Sequence, residues 1–255
     1  MWRGAVAALV IGVASGVGNR ATAGAVAWAA GPTSSPTVTD SQEVALGTAL
    51  AARFDEDRGI TPTPETTRIE TYLQTIADSL ARHARRQLPW RIHFDPHPGI
   101  KSGFALPGGH IVIWGGILSY MTTEDEAAAV IAHEIEHIDD GQVTRRIDSL
   151  VRTAHRDVTV PAQWSWDEFG ASYGDTLENL CDYKGAKLAV AAGYSPLGFK
   201  MILQSFVALG RVHTPNAPVP KAIVDRIRQI EREIREEHWQ SRTKTRPLQL
   251  PGNGD

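Results

Sequence analysis

Apolar residues recur at helical spacing in several separate stretches of the chain. Residues 66–88 carry one such stripe, which predicts an amphipathic helix that stops before Pro89 and has the members Ile69, Tyr72, Leu73, Ile76, Leu80 and Ala84. The same spacing predicts further helices over residues 41–58, 176–192, 197–209 and 221–240.

Two shorter stretches have the character of strands. Residues 90–95 alternate apolar and polar side chains, and residues 110–114 form a second β-rich run behind the turn residues Pro107, Gly108 and Gly109. The pattern as a whole predicts an α+β fold that is mainly α, with a small β-sheet.

One helix has a clear start. Thr123 and Glu126 have the spacing of a capping box, and an apolar run over residues 127–132 follows at once. This predicts a helix over residues 124–141 that is at least half buried. The later residues 150–175 have no clear period and are expected to supply pocket walls; Trp164, Trp166 and Phe169 either line that cleft or pack in the core.

The two ends of the chain differ from its middle. Residues 1–30 hold an early Arg3, an uncharged stretch and small-residue triplets, which predicts a secretory signal peptide or, if it is not cleaved, an N-terminal anchor. Residues 31–40 are rich in Pro, Ser and Thr and predict a linker, and residues 241–255 predict a disordered tail. The residues between these ends, 41–240, are predicted to form one domain.

Charge and cysteine content narrow the chemistry. The net charge is −3 and gives no indication of a nucleic-acid partner. Cys181 is the single cysteine, so any metal site must be built from His, Asp and Glu, and Cys181 itself is expected to be a small core residue.

The predicted helix over residues 124–141 carries such side chains. His133 and His137 are four residues apart, so both imidazoles lie on one helix face and can bind one ion. Glu134 lies beside this pair, close enough to act as a general base on a water molecule. Glu136 is expected to be a partly solvated neighbour. The alternative is a charged surface helix, but the apolar run before the motif argues against it because buried histidines need partners.

A catalytic zinc usually has a third protein ligand. Glu178 and Asp182 lie four apart on a later predicted helix, where Glu178 could complete the coordination and Asp182 could accept a hydrogen bond from a ligand imidazole. His155 and His213 are the rival third ligands.

Three segments resemble one known family: "SGFALPGGHIVIWGGILSYMTTEDEAAAVIAHEIEHIDDGQ", "ENLCDYKGAKLAVAAGYSP" and "VHTP". They are similar to the M48 family of zinc metallopeptidases, and within it to the exported bacterial branch. The resemblance implies a zincin-like metallopeptidase domain that binds one Zn²⁺ per chain. It places the third ligand on Glu178 and the neighbouring carboxylate on Asp182.

The resemblance also implies a place for substrate. It makes the run at residues 110–114 an edge strand to which a polypeptide substrate adds, through Gly109, His110, Ile111, Val112 and Ile113. It gives His213 one of two roles, stabilising the oxyanion or blocking the zinc.

The chain departs from the family at several positions. Gln142 stands where the family often has a histidine, Cys181 replaces an alanine, and Arg226 comes late after His213. The helical-repeat module of some relatives is missing.

The expected function is therefore that of an exported zinc endopeptidase acting on exported or misfolded envelope proteins in the periplasm or cell envelope. The alternative from another class is a zinc-binding chaperone or adaptor of the envelope. A third expectation, a membrane-tethered protease, applies if residues 1–30 stay attached.

Overall fold

The structure is a computed structural model that describes residues 38–213 and 219–250, without the side chains of residues 210–213. The predicted signal segment lies outside the described residues, as do most of the linker and the last five residues.

Eight helices and three strands are described in these ranges. The helices are α1 (Asp40–Arg58), α2 (Pro64–Ala81), α3 (Gly115–Leu118), α4 (Glu124–Asp139), α5 (Gln142–Thr153), α6 (Asp175–Ala191), α7 (Leu197–His213) and α8 (Lys221–Glu236). The strands are β1 (Arg91–Asp95), β2 (Gly103–Ala105) and β3 (His110–Trp114). The predicted mainly helical α+β fold is confirmed, whereas α5 and β2 were not predicted as separate elements.

The sheet has the strand order β1-β3-β2. β3 runs parallel to β1 and antiparallel to β2, with Phe104 opposite Val112. The prediction that β3 is the edge strand is therefore wrong, because hydrogen bonds to β1 and β2 use both of its sides. The free edge next to α4 belongs to β2, whose three residues are too few to show a period in the sequence.

α4 is the central helix, and it packs against α2, α6, α7 and the sheet. Its capping box forms as predicted, with Thr123 and Glu126 each accepting from the other's backbone N–H. α6 comes close to α4 at Gly185, where an added Cβ would lie 2.8 Å from Phe199 Cζ and 3.2 Å from the backbone nitrogen of His133. Glycine at this position therefore lets the two helix backbones meet beside His133.

The C-terminal residues are more ordered than predicted. A 3₁₀ turn at Trp239–Arg242 follows α8, and the backbone then pairs with the start of α4 through Leu248 N–Thr122 O at 3.0 Å and Glu124 N–Arg246 O at 2.9 Å. The expected disordered tail is thus wrong for residues 241–250. None of the helices in the described ranges has the length and hydrophobicity needed to cross a membrane.

Candidate metal centre

Three side chains from two helices meet at one point beneath the sheet. His133 Nε2 lies 3.1 Å from His137 Nε2 and 3.2 Å from Glu178 Oε2, and His137 Nε2 lies 3.9 Å from the same Glu178 oxygen. α4 supplies the two imidazoles because its turn stacks residues four apart, and α6 supplies the carboxylate from its first turn. All three residues are buried.

The outer nitrogen of each imidazole has its own acceptor. His133 Nδ1 lies 3.0 Å from Asp182 Oδ1, and His137 Nδ1 lies 2.8 Å from Gln142 Oε1. These acceptors hold a ring proton at each Nδ1, so Nε2 is the nitrogen of each ring that is placed to bind a metal. The sequence prediction anticipated the Asp182 contact but missed Gln142, which α5 places directly after the turn at Gly141.

A buried arginine fixes Asp182 from the other side. Arg226 on α8 donates from Nε to Asp182 Oδ2 at 2.5 Å and from Nη2 to Asp182 Oδ1 at 2.7 Å, while its Nη1 lies 4.0 Å from Glu178 Oε2. Arg226 was not predicted to belong to the site. The available signal was its charge among Ile223, Ile227 and Ile230 on the apolar face of its helix.

The electrostatics of the cluster favour a bound cation. Burial alone would lower the pKa of His133, but hydrogen bonds and charges from Asp182 and Glu178 outweigh it and raise the pKa to about 10. Burial and the charge of His133 lower the pKa of His137 to about 4. Burial opposes ionisation of Glu178, yet its histidine neighbours and Arg226 hold its pKa at about 2. The electrostatic potential where the three side chains meet is therefore negative enough to hold a proton strongly.

The geometry and the atom types fit zinc. A tetrahedral Zn²⁺ with bonds of ~2.0–2.1 Å separates its ligand atoms by ~3.3 Å, close to the separations of 3.1, 3.2 and 3.9 Å found here. Within residues 38–213 and 219–250 no other group of three or more His, Cys, Asp or Glu side chains converges in this way. Two imidazoles and one carboxylate are a ligand set typical of catalytic zinc.

Glu134 lies next to this cluster without joining it. One of its oxygens accepts the backbone N–H of Ala105 on β2, and its Oε1 is buried without a hydrogen-bond partner. Burial raises the pKa of Glu134 to about 7. Glu136, two residues later, is only 6% exposed, so the expectation of a partly solvated side chain is wrong.

A segment over residues 169–173, here called the covering segment, lies against the cluster. Together with Gly103 and Phe104 of β2 it lines a small cavity that also contains Glu134 and the three converging side chains. Arg146 on α5 holds this segment by donating to the carbonyls of Phe169, Ala171 and Ser172. Of the three predicted cleft aromatics, Phe169 lines this cavity, Trp164 packs on Phe169 in the core, and Trp166 packs on Phe54.

Several predicted residues lie elsewhere. His155 is exposed after α5, outside the converging group, so it is not the third ligand in this structure. His110 lies in the central strand, where its imidazole contacts His93 and Thr48. The side chain of His213 lies outside the described residues.

Two buried imidazoles, a carboxylate from a second helix and a buried glutamate beside them form a candidate metal site, whose donor atoms are those of a typical catalytic zinc centre. A model of peptidase family M48 matches residues 64–195. Since this match covers more than half of the 255 residues, the chain belongs to peptidase family M48.

Three curated relatives align with about half of the chain. The mitochondrial metalloendopeptidase OMA1 of Schizosaccharomyces pombe is 29% identical over 151 residues, which cover 54% of this chain and 43% of OMA1. The β-barrel assembly-enhancing proteases of Yersinia pestis and Escherichia coli (strain K12) are 26% and 25% identical over 125 residues, 49% of this chain and 25% of each relative. The chain thus spans less than half the length of each of these relatives.

Proposed function

We propose that the protein is a zinc-dependent endopeptidase in which His133, His137 and Glu178 hold one Zn²⁺. The observation that carries the proposal is the meeting of these three side chains beside the unpartnered Oε1 of Glu134. When bound, zinc supplies Lewis-acid polarisation of a water molecule and of the scissile carbonyl.

Glu134 is the proposed general base. It accepts a proton from the water whose oxygen adds to the carbonyl carbon, and it returns that proton to the amide nitrogen as the C–N bond breaks. The products are a carboxylate and an amine. A pKa of about 7, raised by burial, suits a group that must both take and return a proton near neutral pH.

Asp182 and Gln142 keep the two imidazoles in the orientation that this chemistry needs. Their contacts with the Nδ1 atoms of His133 and His137 hold the rings against rotation and keep a proton on each Nδ1, so that both Nε2 atoms face the proposed metal position. Arg226 in turn fixes Asp182.

The proposed substrate is a polypeptide that adds as a strand to the free edge of β2. β2 lines the cavity with Gly103 and Phe104, and its Ala105 N–H holds Glu134, so an added strand would run past the base. The covering segment over residues 169–173 occupies that approach and must move before a peptide enters. The names of the relatives support envelope proteins as substrates and an envelope location.

His213 is proposed either to stabilise the oxyanion or to block the metal.

The test compares Glu134→Gln with wild type for zinc content and for cleavage of unfolded casein, with and without a chelator. We expect stoichiometric zinc in both proteins, chelator-sensitive cleavage by wild type, and a loss of at least about 10²-fold in Glu134→Gln. Glu136→Gln is the matched control on the same helix and should cleave normally. Equal cleavage by wild type and Glu134→Gln would exclude this mechanism, and a zinc-loaded wild type without cleavage would favour the chaperone or adaptor alternative.

A further inference from the structure

Tyr173 lines the cavity that contains Glu134, and its phenol oxygen is likewise buried without a hydrogen-bond partner. Among the described residues, four buried side-chain atoms have no hydrogen-bond partner: Glu134 Oε1, Tyr173 Oη, Asn179 Oδ1 and Glu233 Oε2. Glu134 and Tyr173 line the same cavity beside the metal centre, whereas Asn179 and Glu233 lie together in a groove between α6 and α8. A buried hydroxyl without an acceptor is unfavourable, so a ligand that accepts from it gains a hydrogen bond that the described residues do not supply.

The Tyr173 ring is held firmly. It stacks on the His137 imidazole with a centroid distance of 4.5 Å and an interplanar angle of 25°, and the Arg146 guanidinium lies 3.7 Å from its centroid on the ring face. Its backbone N–H donates to Glu178 Oε1 at 3.2 Å. Tyr173 therefore contacts two of the three proposed zinc ligands while its phenol oxygen stays without a protein partner.

The two unpartnered oxygens have opposite hydrogen-bonding roles. Glu134 is an acceptor that can take a proton from water, whereas a phenol is a donor. A phenol keeps its proton at neutral pH, so Tyr173 Oη has a hydrogen to donate. Peptide hydrolysis creates negative charge on the carbonyl oxygen, and a preorganised hydrogen-bond donor beside that oxygen stabilises the charge.

We propose that Tyr173 is a further catalytic residue, whose Oη donates a hydrogen bond to the scissile carbonyl oxygen as it becomes an oxyanion. This assignment rests on the endopeptidase function proposed above. It gives the covering segment a catalytic role, because this segment lines the cavity and also carries the donor. It is independent of His213, which the sequence suggested for the same task.

The experiment replaces Tyr173 with phenylalanine, which keeps the ring contacts with His137 and Arg146 and removes only the hydroxyl. Tyr120→Phe, after α3 and away from the cavity, is the matched control. Four quantities are measured: zinc content, thermal unfolding, kcat and KM on a fluorogenic form of casein, and the Kd of phosphoramidon, a phosphoryl peptide with a tetrahedral phosphorus.

We expect Tyr173→Phe to keep its zinc and its unfolding temperature, to lose ~10–100-fold in kcat with little change in KM, and to bind phosphoramidon more weakly by a similar factor. Tyr173→Leu, which also loses the ring, should lose at least as much kcat. Wild-type kcat in Tyr173→Phe, or a loss confined to KM or explained by missing zinc, overturns the proposal and leaves the endopeptidase function standing. A wild-type protein that holds zinc but cleaves nothing overturns both.

Discussion

Replacing Arg226 with methionine tests the buried chain of contacts that runs from α8 to the metal centre. The two hydrogen bonds from Arg226 to Asp182 measure 2.5 and 2.7 Å, and both side chains are at most 5% exposed. Methionine keeps much of the apolar stem but leaves the Asp182 carboxylate buried with only His133 beside it. Removing one partner of a buried ion pair costs ~3–5 kcal/mol.

The same change should weaken zinc binding. Burial opposes ionisation of Asp182, and Arg226 is the main reason that its pKa stays at about 2. Without the guanidinium the carboxyl becomes a poorer acceptor for His133 Nδ1, and the loss of such an outer contact typically lowers metal affinity ~10–100-fold.

Urea unfolding of the metal-free protein and zinc competition with a chelating dye measure the two effects separately. Arg228→Met is the matched control, because Arg228 lies on the same helix with a side chain that is 67% exposed, and it should change the free energy of unfolding by less than ~1 kcal/mol. The double variant Arg226→Met with Asp182→Leu replaces the whole pair by apolar groups, so it should regain stability but not zinc affinity. If Arg226→Met matched Arg228→Met in both measurements, the buried pair would not be what holds His133 in place.

Three further changes test other parts of the structure. Gln142→Leu removes the acceptor of His137 Nδ1 and should lower zinc affinity ~10-fold in the same competition assay; unchanged affinity would show that Gln142 does not orient the ring. Gly185→Ala forces α6 away from α4 at His133 and should cost ~1–3 kcal/mol in urea unfolding, and a neutral effect would contradict the close approach of the helices. Burial, helped by His93 and Arg91, lowers the pKa of His110 from 6.5 to about 4. Between pH 6.5 and 4 the imidazole of His110 is protonated in the unfolded chain but neutral in the folded chain. The free energy of unfolding is therefore unaffected by this group above about pH 6.5 and decreases as the pH falls toward 4. Wild type should therefore lose ~3 kcal/mol more than His110→Phe over that interval in urea unfolding, and parallel curves would refute the shift.

Local periodicity was enough to predict the elements that carry the site. The start of α4 follows from the capping box of Thr123 and Glu126, and the pairing of His133 with His137 follows from the helical turn alone. These features depend on residues within four positions of each other, which is the range over which a sequence pattern reports structure directly.

The sheet edge and the covering segment depend on contacts at longer range. β2 has three residues, and only its register against β3 shows that it, not β3, has the free edge. Arg146 holds the covering segment by donating to its backbone carbonyls. Every residue has such a carbonyl, so the amino-acid sequence does not indicate which ones Arg146 will bind. Tyr173 was missed for the same reason, since its place depends on that segment.

Arg226 shows which longer-range contact a sequence can still indicate. Asp182 was found because it lies four residues from Glu178, whereas Arg226 lies 44 residues further on, on a different helix. An arginine inside an apolar stripe must nevertheless find a counter-charge, because a buried unpaired charge is too costly to persist. Asp182 lies among buried residues of α6 and needs a counter-charge for the same reason. Two charges that each break an apolar face are therefore candidates for one buried pair, and in this protein the pair of Arg226 and Asp182 joins α8 to the metal centre.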